Sequence, residues 1–178
     1  QTDTPAFRRW FGDSKVVDES GAPLVVYHGT ASNFDSFDQQ YQGKATRATS
    51  SKEGFFFAST PRTAQSYADH AATVAPVEDL VSRADASGDR GNWKEYDRLM
   101  AEAEALEAEM IGDGRARGQS IIPAYLAIRN PLIVDAAGEN PEGIGGIDPL
   151  IQRAKAAGHD GVIIRNFDDA AGLYDELA

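Results

Sequence analysis

Leu24-Val25-Val26-Tyr27-His28-Gly29-Thr30 and Gly54-Phe55-Phe56-Phe57-Ala58 are the two stretches on which the reading of this chain turns. Each has the composition of a buried strand that ends in small or polar residues. In the first, apolar residues lead to a histidine followed at once by glycine. In the second, three phenylalanines run into Ala58-Ser59-Thr60-Pro61, a helix-start signature. A titratable group delivered on a strand end, beside backbone that a ligand can approach closely, is a common way to build a site. Taken alone, His28 reads more readily as a satisfied core histidine, so the rest of the chain has to decide.

The chain has 178 residues, enough for one ordinary domain around a single core. Its hydrophobic fraction of 42% and charged fraction of 25% are those of a globular protein. Cysteine is absent, which removes disulfides and thiolate chemistry and suits a reducing compartment. No apolar run approaches the ~20 residues of a membrane span, and no signal peptide is visible. Formal net charge is -11. Residues 1–69 are nearly balanced, with 8 acidic against 7 basic residues, whereas residues 70–118 hold 11 against 6. An acidic chain lacks the basic footprint of a duplex-binding module, although a neutral cleft in the first third suits an anionic ligand.

Thr4 to Gly12 predicts a short helix, with Thr4 as cap, Pro5 at the first position and Gly12 as the stop. Phe7, Trp10 and Phe11 share one face of it, as a core staple. Ser14–Val17 and Pro23–His28 read as two strands around the turn Asp18-Glu19-Ser20-Gly21. Phe34 and Phe37 are spaced to pin a loop. Residues 39–53 are polar, carry Gly43, Lys44, Arg47 and Lys52, and read either as a solvated loop or as a lid over an anionic ligand. A helix follows from Arg62 to about Ala72, with Ala64, Tyr67, Ala68 and Ala71 inward. Residues 75–116 then form an acidic helical insertion. One helix carries Val77, Leu80, Val81 and Ala84 and breaks at Ser87-Gly88. A second, from about Asn92 to Ile111, places Trp93, Tyr96, Leu99, Met100, Ala103, Leu106 and Met110 on one stripe, read as a helix–helix seam. Ile121–Ile128 and Leu132–Val134 are strands, Ile147–Ala154 an amphipathic helix ending at Gly158, and Val162–Ile164 a last strand. Strands cluster instead of alternating with helices, which predicts an α+β fold.

Only His28, His70 and His159 are histidines, and none has metal-ligand spacing, so no metal site is expected. No GxSxG elbow, P-loop or GxGxxG is present, and Gly143-Ile144-Gly145-Gly146 does not follow a strand directly. His70, late in a helix, and His159, in the turn His159-Asp160-Gly161, read as surface residues.

Tyr27-His28-Gly29-Thr30, then Gly54-Phe55-Phe56-Phe57-Ala58, then Tyr67 resembles the ADP-ribosyltransferase superfamily, in its diphtheria-toxin and poly(ADP-ribose)-polymerase branch. There one strand carries H-G-[ST], another carries G-x-Y-F-[AS], and a helix supplies a second tyrosine nine residues past the A/S. Tyr67 stands nine residues after Ala58. Thr4 to Thr30, Pro123 to Val134 and Asp160 to Ile164 are also similar to the version of this domain found in phage and mobile-element polyvalent proteins. The resemblance covers most of the chain outside residues 72–118. It implies a split β-sandwich of mainly antiparallel strands, with the insertion at about 75–116, in a single domain of residues 1–178 excised from a larger protein.

What the resemblance implies for function is a glycosyltransferase that uses NAD as co-substrate and needs no metal. His28 would bind the adenosine ribose, the Gly29 backbone the nicotinamide amide, and Thr30 would complete the motif. Tyr67 and Phe56 would stack on the nicotinamide ring. ADP-ribose would pass to a macromolecular target, protein in preference to nucleic acid, with the insertion contacting that target or another domain. The setting would be a bacterial cytoplasm, or a host cell into which a larger, effector- or toxin-like protein is delivered. The chain departs from the family pattern at two points. Phe56 stands where the second motif has tyrosine, which keeps the aromatic face and loses the hydroxyl. The third motif, a Glu or Gln on a late strand that orients the ribose, is matched locally only by Glu176, two residues from Ala178; otherwise it lies beyond the chain given. Glu176 reads more readily as an exposed tail carboxylate. Transferase, non-catalytic NAD- or partner-binding relic, and NAD glycohydrolase therefore all stand at this point.

Overall fold

A computed structural model describes residues 2–32, 34, 36–42, 49–113 and 119–168. The expectations placed on Gly43, Lys44, Arg47 and Glu176 lie outside the described residues. The elements in order are α1 (Pro5–Phe11), β1 (Val26–Thr30), two short 3-10 turns (Gln39–Tyr41 and Thr49–Lys52), α2 (Pro61–Asp89), α3 (Trp93–Asp113), β2 (Ser120–Ala124), β3 (Pro131–Asp135), α4 (Ile147–Ala156) and β4 (Gly161–Arg165). β1 pairs with β2, and β3 with β4, in two two-stranded sheets. The mixture is α+β. The chain divides into two compact units, one of Gln1–His28, Phe56–Thr63 and Ile122–Ala178, the other of Gly29–Phe55 and Ala64–Ile121.

In the first unit α1 forms as its local signals dictate. Thr4 Oγ1 accepts the Phe7 N–H at 3.1 Å, Pro5 needs no donor at the first position, and Gly12 closes the helix at φ 57°. Phe7 meets the Tyr125 ring edge-on at 5.1 Å, and Arg129 donates to the Trp10 carbonyl at 2.6 Å. Buried Ser14 ties the same region down, donating to Leu126 O at 2.7 Å and accepting from Ile128 N at 3.2 Å. The expected hairpin over Ser14–His28 contracts to a single antiparallel bridge, Val17 to Pro23. The Asp18 carboxylate explains this. It accepts from Ser20 N, Ser20 Oγ and Ala22 N, curling the turn back onto itself before a ladder can extend.

β3 and β4 run parallel in the register Pro131↔Gly161 to Asp135↔Arg165, within a chain read as mainly antiparallel. The intervening α4 is the crossover that parallel pairing requires. Asp160 sets the start of both strands, since its carboxylate accepts from Arg129 N at 2.8 Å and Asn130 N at 2.9 Å. Beside it, His159 Nδ1 donates to Asn130 O at 3.0 Å. The histidine read as a surface residue thus braces a turn. Phe11, Val16, Val26, Ala136, Leu150 and Ala154 are the buried apolar residues of this unit.

In the second unit one element departs from expectation. Two helices separated near residue 75 were expected from the sequence, with the first insertion helix broken at Ser87-Gly88. α2 instead runs unbroken for 29 residues through Pro76 and through Ser87-Gly88. A proline inside a helix removes one hydrogen bond and crowds the carbonyl four residues back, at about 3 kcal/mol. Burial on both sides of it opposes that cost: Ala64 and Ala68 are buried before it, and Leu80, Ala84 and Ser87 after it. Gly88 breaks nothing, because the chain turns only at Gly91, at φ 74°, before Asn92 caps α3. The expected seam is present. Leu80 and Ala84 of α2 pack on Leu99 and Ala103 of α3, flanked by Val77, Val81, Tyr96, Met100 and Leu106. Trp93, placed on that stripe by the periodicity, is outside it and 63% exposed.

Candidate active site

His28 lies on β1, and its environment comes from the phenylalanine segment. Tyr27 N donates to Ala58 O at 2.9 Å and Ala58 N to Tyr27 O at 2.8 Å, forming one antiparallel bridge. The strand expected at Gly54–Ala58 is thus an extended segment held at a single bridge. That bridge brings the Phe56 carbonyl to 2.8 Å from His28 Nδ1. A carbonyl only accepts, so Nδ1 is the donor in this bond. The Phe57 ring lies 5.6 Å from the imidazole, tilted by 52°. The Phe56 carbonyl and the Phe57 ring thus help to fix where the imidazole sits.

The three phenylalanines have three environments. Phe55 sits edge-on to Phe37 at 5.1 Å, and Phe37 to Phe34 at 5.0 Å, so the expected pinning of the loop by this pair is found within the second unit. Phe57 accompanies His28. Phe56 gives its carbonyl to His28 and leaves its ring 43% exposed.

Gly29 opens the second unit, and its partner is α2. A Cβ there would overlap Ala64 O, and would lie 2.8 Å from Ala64 C and 2.9 Å from Ala68 N. The backbones of β1 and α2 meet directly, which is why Ala64 and Ala68 are small and almost wholly buried, at 1% and 0% exposure. The glycine was singled out for close approach by a ligand; the structure supplies a packing reason as well. Thr60 starts this helix, its hydroxyl accepting from Thr63 N at 3.1 Å. Tyr67 stands on the same two turns, one residue before Ala68, and is 38% exposed. Buried Thr30 accepts from Ser32 N at 3.1 Å through its hydroxyl and so shapes the chain leaving β1.

Of the residues singled out from the sequence, His28 and Phe56 are joined by a hydrogen bond in the first unit. Gly29, Thr30 and Tyr67 belong to the second. Glu176 lies outside the described residues. Phe57 and the pair Ala64 and Ala68 were not assigned to the site. The signal for the alanines was their spacing of four, opposite a glycine in a strand.

The chain matches, over residues 18–176, the family described as ADP-ribosyltransferase in polyvalent proteins. It belongs to that family. No curated protein and no solved structure matches the chain. Membership of this ADP-ribosyltransferase family carries transferase chemistry at the family level, and it implies NAD as co-substrate and a macromolecular target. The residues described for this ADP-ribosyltransferase domain include an imidazole oriented by its hydrogen bond to the Phe56 carbonyl and two partly exposed aromatic residues, Phe56 and Tyr67, types that suit a ribose and a pyridinium ring. Among the described residues no group of three or more His, Asp and Glu is arranged to hold a metal ion. Among them, too, no helix is long and apolar enough to cross a membrane.

Proposed function

We propose that this domain, residues 1–178 with an acidic helical insertion at about 75–116, cleaves the nicotinamide–ribose bond of NAD and transfers ADP-ribose to a macromolecule, protein in preference to nucleic acid. The observation that carries the reading is the hydrogen bond between His28 and the Phe56 carbonyl, in a chain of this family. It orients the imidazole that this reading places against a ribose hydroxyl, so less ordering remains to be done on binding. Gly29 offers the backbone for the nicotinamide amide, with Thr30 holding the chain beyond it. Phe56 and Tyr67 offer aromatic faces to the cationic pyridinium, each worth about 0.5–2 kcal/mol.

In the reaction the bond from ribose C1′ to the nicotinamide nitrogen breaks, and nicotinamide leaves with the bonding pair, uncharged. The acceptor forms the new bond to C1′ and releases its proton to solvent. The transition state is oxocarbenium-like, as in glycoside hydrolysis. A carboxylate near the ribose would stabilise it, and Glu176 is the residue of this chain proposed for that part. Water in place of the acceptor would make the domain an NAD glycohydrolase. Phe56, without the hydroxyl of the family's tyrosine, favours a second reading, a non-catalytic NAD-binding relic.

Incubation with NAD labelled in the adenine and nicotinamide halves separates these readings. Nicotinamide release with adenine label on macromolecules is the expected result. Release without transfer assigns the glycohydrolase. Binding by calorimetry without release assigns the relic, and neither binding nor release refutes the proposal.

A further inference from the structure

We propose that the tip of the α2/α3 hairpin is a docking site for an exposed arginine or lysine side chain of a protein partner. This inference is independent of the NAD reading. An open cleft of about 280 Å³ lies at the tip, lined by Asp85, Gly88 and Asp89 of α2 and by Trp93 and Tyr96 of α3. Its floor exists because residue 88 is glycine: a Cβ there would come 3.3 Å from Tyr96 Cδ2 and 3.5 Å from Trp93 Cζ3. The two rings meet edge-to-face at 5.9 Å. The Trp93 indole, 63% exposed, forms one wall and contributes little to the seam below it.

The opposite wall is anionic. Asp85 and Asp89 are one helical turn apart and both exposed. Among the described residues neither forms an ion pair. Arg83 pairs instead with Asp79, and Arg98 with Glu95 and Glu102. Of the two cations at the tip, Arg90 is turned onto Ser87 Oγ at 3.2 Å, and Lys94 does not line the cleft. A π-face beside two carboxylates is complementary to a guanidinium or ammonium group, with its methylene stem laid along the indole. The occupant follows from charge. Residues 70–118 hold 11 acidic against 6 basic residues, so a nucleic acid is repelled and a basic protein segment is attracted.

The test uses the whole chain and a fluorescent six-residue peptide of alternating glycine and arginine, read by anisotropy at about 50 mM salt. In a Trp10→Phe background the emission of Trp93 reports on the same titration. Saturable binding that perturbs Trp93 emission is expected. Trp93→Ala should weaken it about two- to fivefold, the size of one exposed cation–π contact. Asp85→Asn/Asp89→Asn should weaken it at least as much, while Trp93→Phe keeps most of the affinity. Glu104→Gln/Glu107→Gln removes the same charge elsewhere on α3 and should leave binding within about 1.5-fold. No binding at 1 mM peptide overturns the proposal. So does an equal loss from the two charge-neutralising pairs, which would make the attraction non-specific. The paired asparagine and glutamine substitutions are exposed and isosteric, so the comparison survives even if Trp93→Ala unfolds.

Discussion

Replacing Gly29 with alanine adds one carbon where the backbone of β1 meets the backbone of α2. The new Cβ overlaps the Ala64 carbonyl oxygen and lies 2.9 Å from Ala68 N. No side chain can rotate aside, because both obstacles are main chain, so α2 must move or β1 must bend. Overpacking of this kind costs about 1–3 kcal/mol. For a chain of this size that corresponds to roughly a 2–12 °C fall in Tm, at about 2–4 °C per kcal/mol. Backbone strain at residue 29 adds nothing, since Gly29 does not have a left-handed φ. The assay is urea unfolding of the wild type, Gly29→Ala, Ala64→Gly and the double variant. Ala64→Gly removes a methyl group but keeps the carbonyl, so it cannot relieve the clash. It carries its own helix cost of about 1 kcal/mol, so the double variant should be no more stable than Gly29→Ala alone. A Gly29→Ala loss under about 0.5 kcal/mol, or restoration of stability in the double variant, would refute the backbone-to-backbone contact.

Four further outcomes follow. His28→Ala should weaken NAD binding by calorimetry about tenfold or more, while His159→Ala leaves it within about twofold; His159→Ala should instead cost about 0.5–1.5 kcal/mol of stability in urea unfolding, because His159 braces the Asn130 turn. Leu99→Ala should cost about 2–5 kcal/mol by the same method, since Leu99 is 1% exposed at the centre of the helical seam. The Asp135 carboxyl is held below its ordinary value near 3.8, chiefly by the side-chain hydrogen bond from Asn166 and then by the backbone N–H of Ala137. Its stabilisation is therefore complete above the unfolded value and lost as pH falls through the lower folded one, so the stability gap between wild type and Asn166→Ala should narrow in acid melts below about pH 4, leaving the pH-independent cost of alanine at the left-handed φ of residue 166. Deleting the whole insertion, residues 75–116, also cuts α2 short; NAD binding that survives would assign the hairpin to targeting, and loss of folding would make it part of the core.

Local chemistry was readable where it acts alone. Thr4, Pro5 and Gly12 specify α1 within eight or nine residues, and the periodicity of α4 needed only its own sequence. The continuity of α2 was not readable, because Pro76 and Ser87-Gly88 are breakers by local preference and the opposing force is burial against α3, remote in sequence. The phenylalanine run was apolar enough to read as a strand, yet only Ala58 finds a ladder partner, and strand pairing is a property of the neighbour as much as of the segment. Within the site, the residue types His28, Phe56 and Tyr67 could be chosen by pattern. The Phe56 carbonyl that orients the imidazole could not, since backbone acceptors leave no trace in a sequence.

Three identical side chains in a row are indifferent to sliding. Shift Phe55-Phe56-Phe57 by one place and the same ring types fill most of the same positions, so hydrophobic burial does little to choose between alignments. Among what distinguishes them are the Tyr27–Ala58 bridge and the bond from His28 to the Phe56 carbonyl. The imidazole is therefore a register peg before it is a ligand group. A slip would exchange the exposed ring for the one beside the histidine. His28→Asn separates the two duties, because the amide N–H can still reach the carbonyl while the ring acceptor is gone. Its unfolding curve should stay close to the wild type while its affinity for NAD falls with that of His28→Ala.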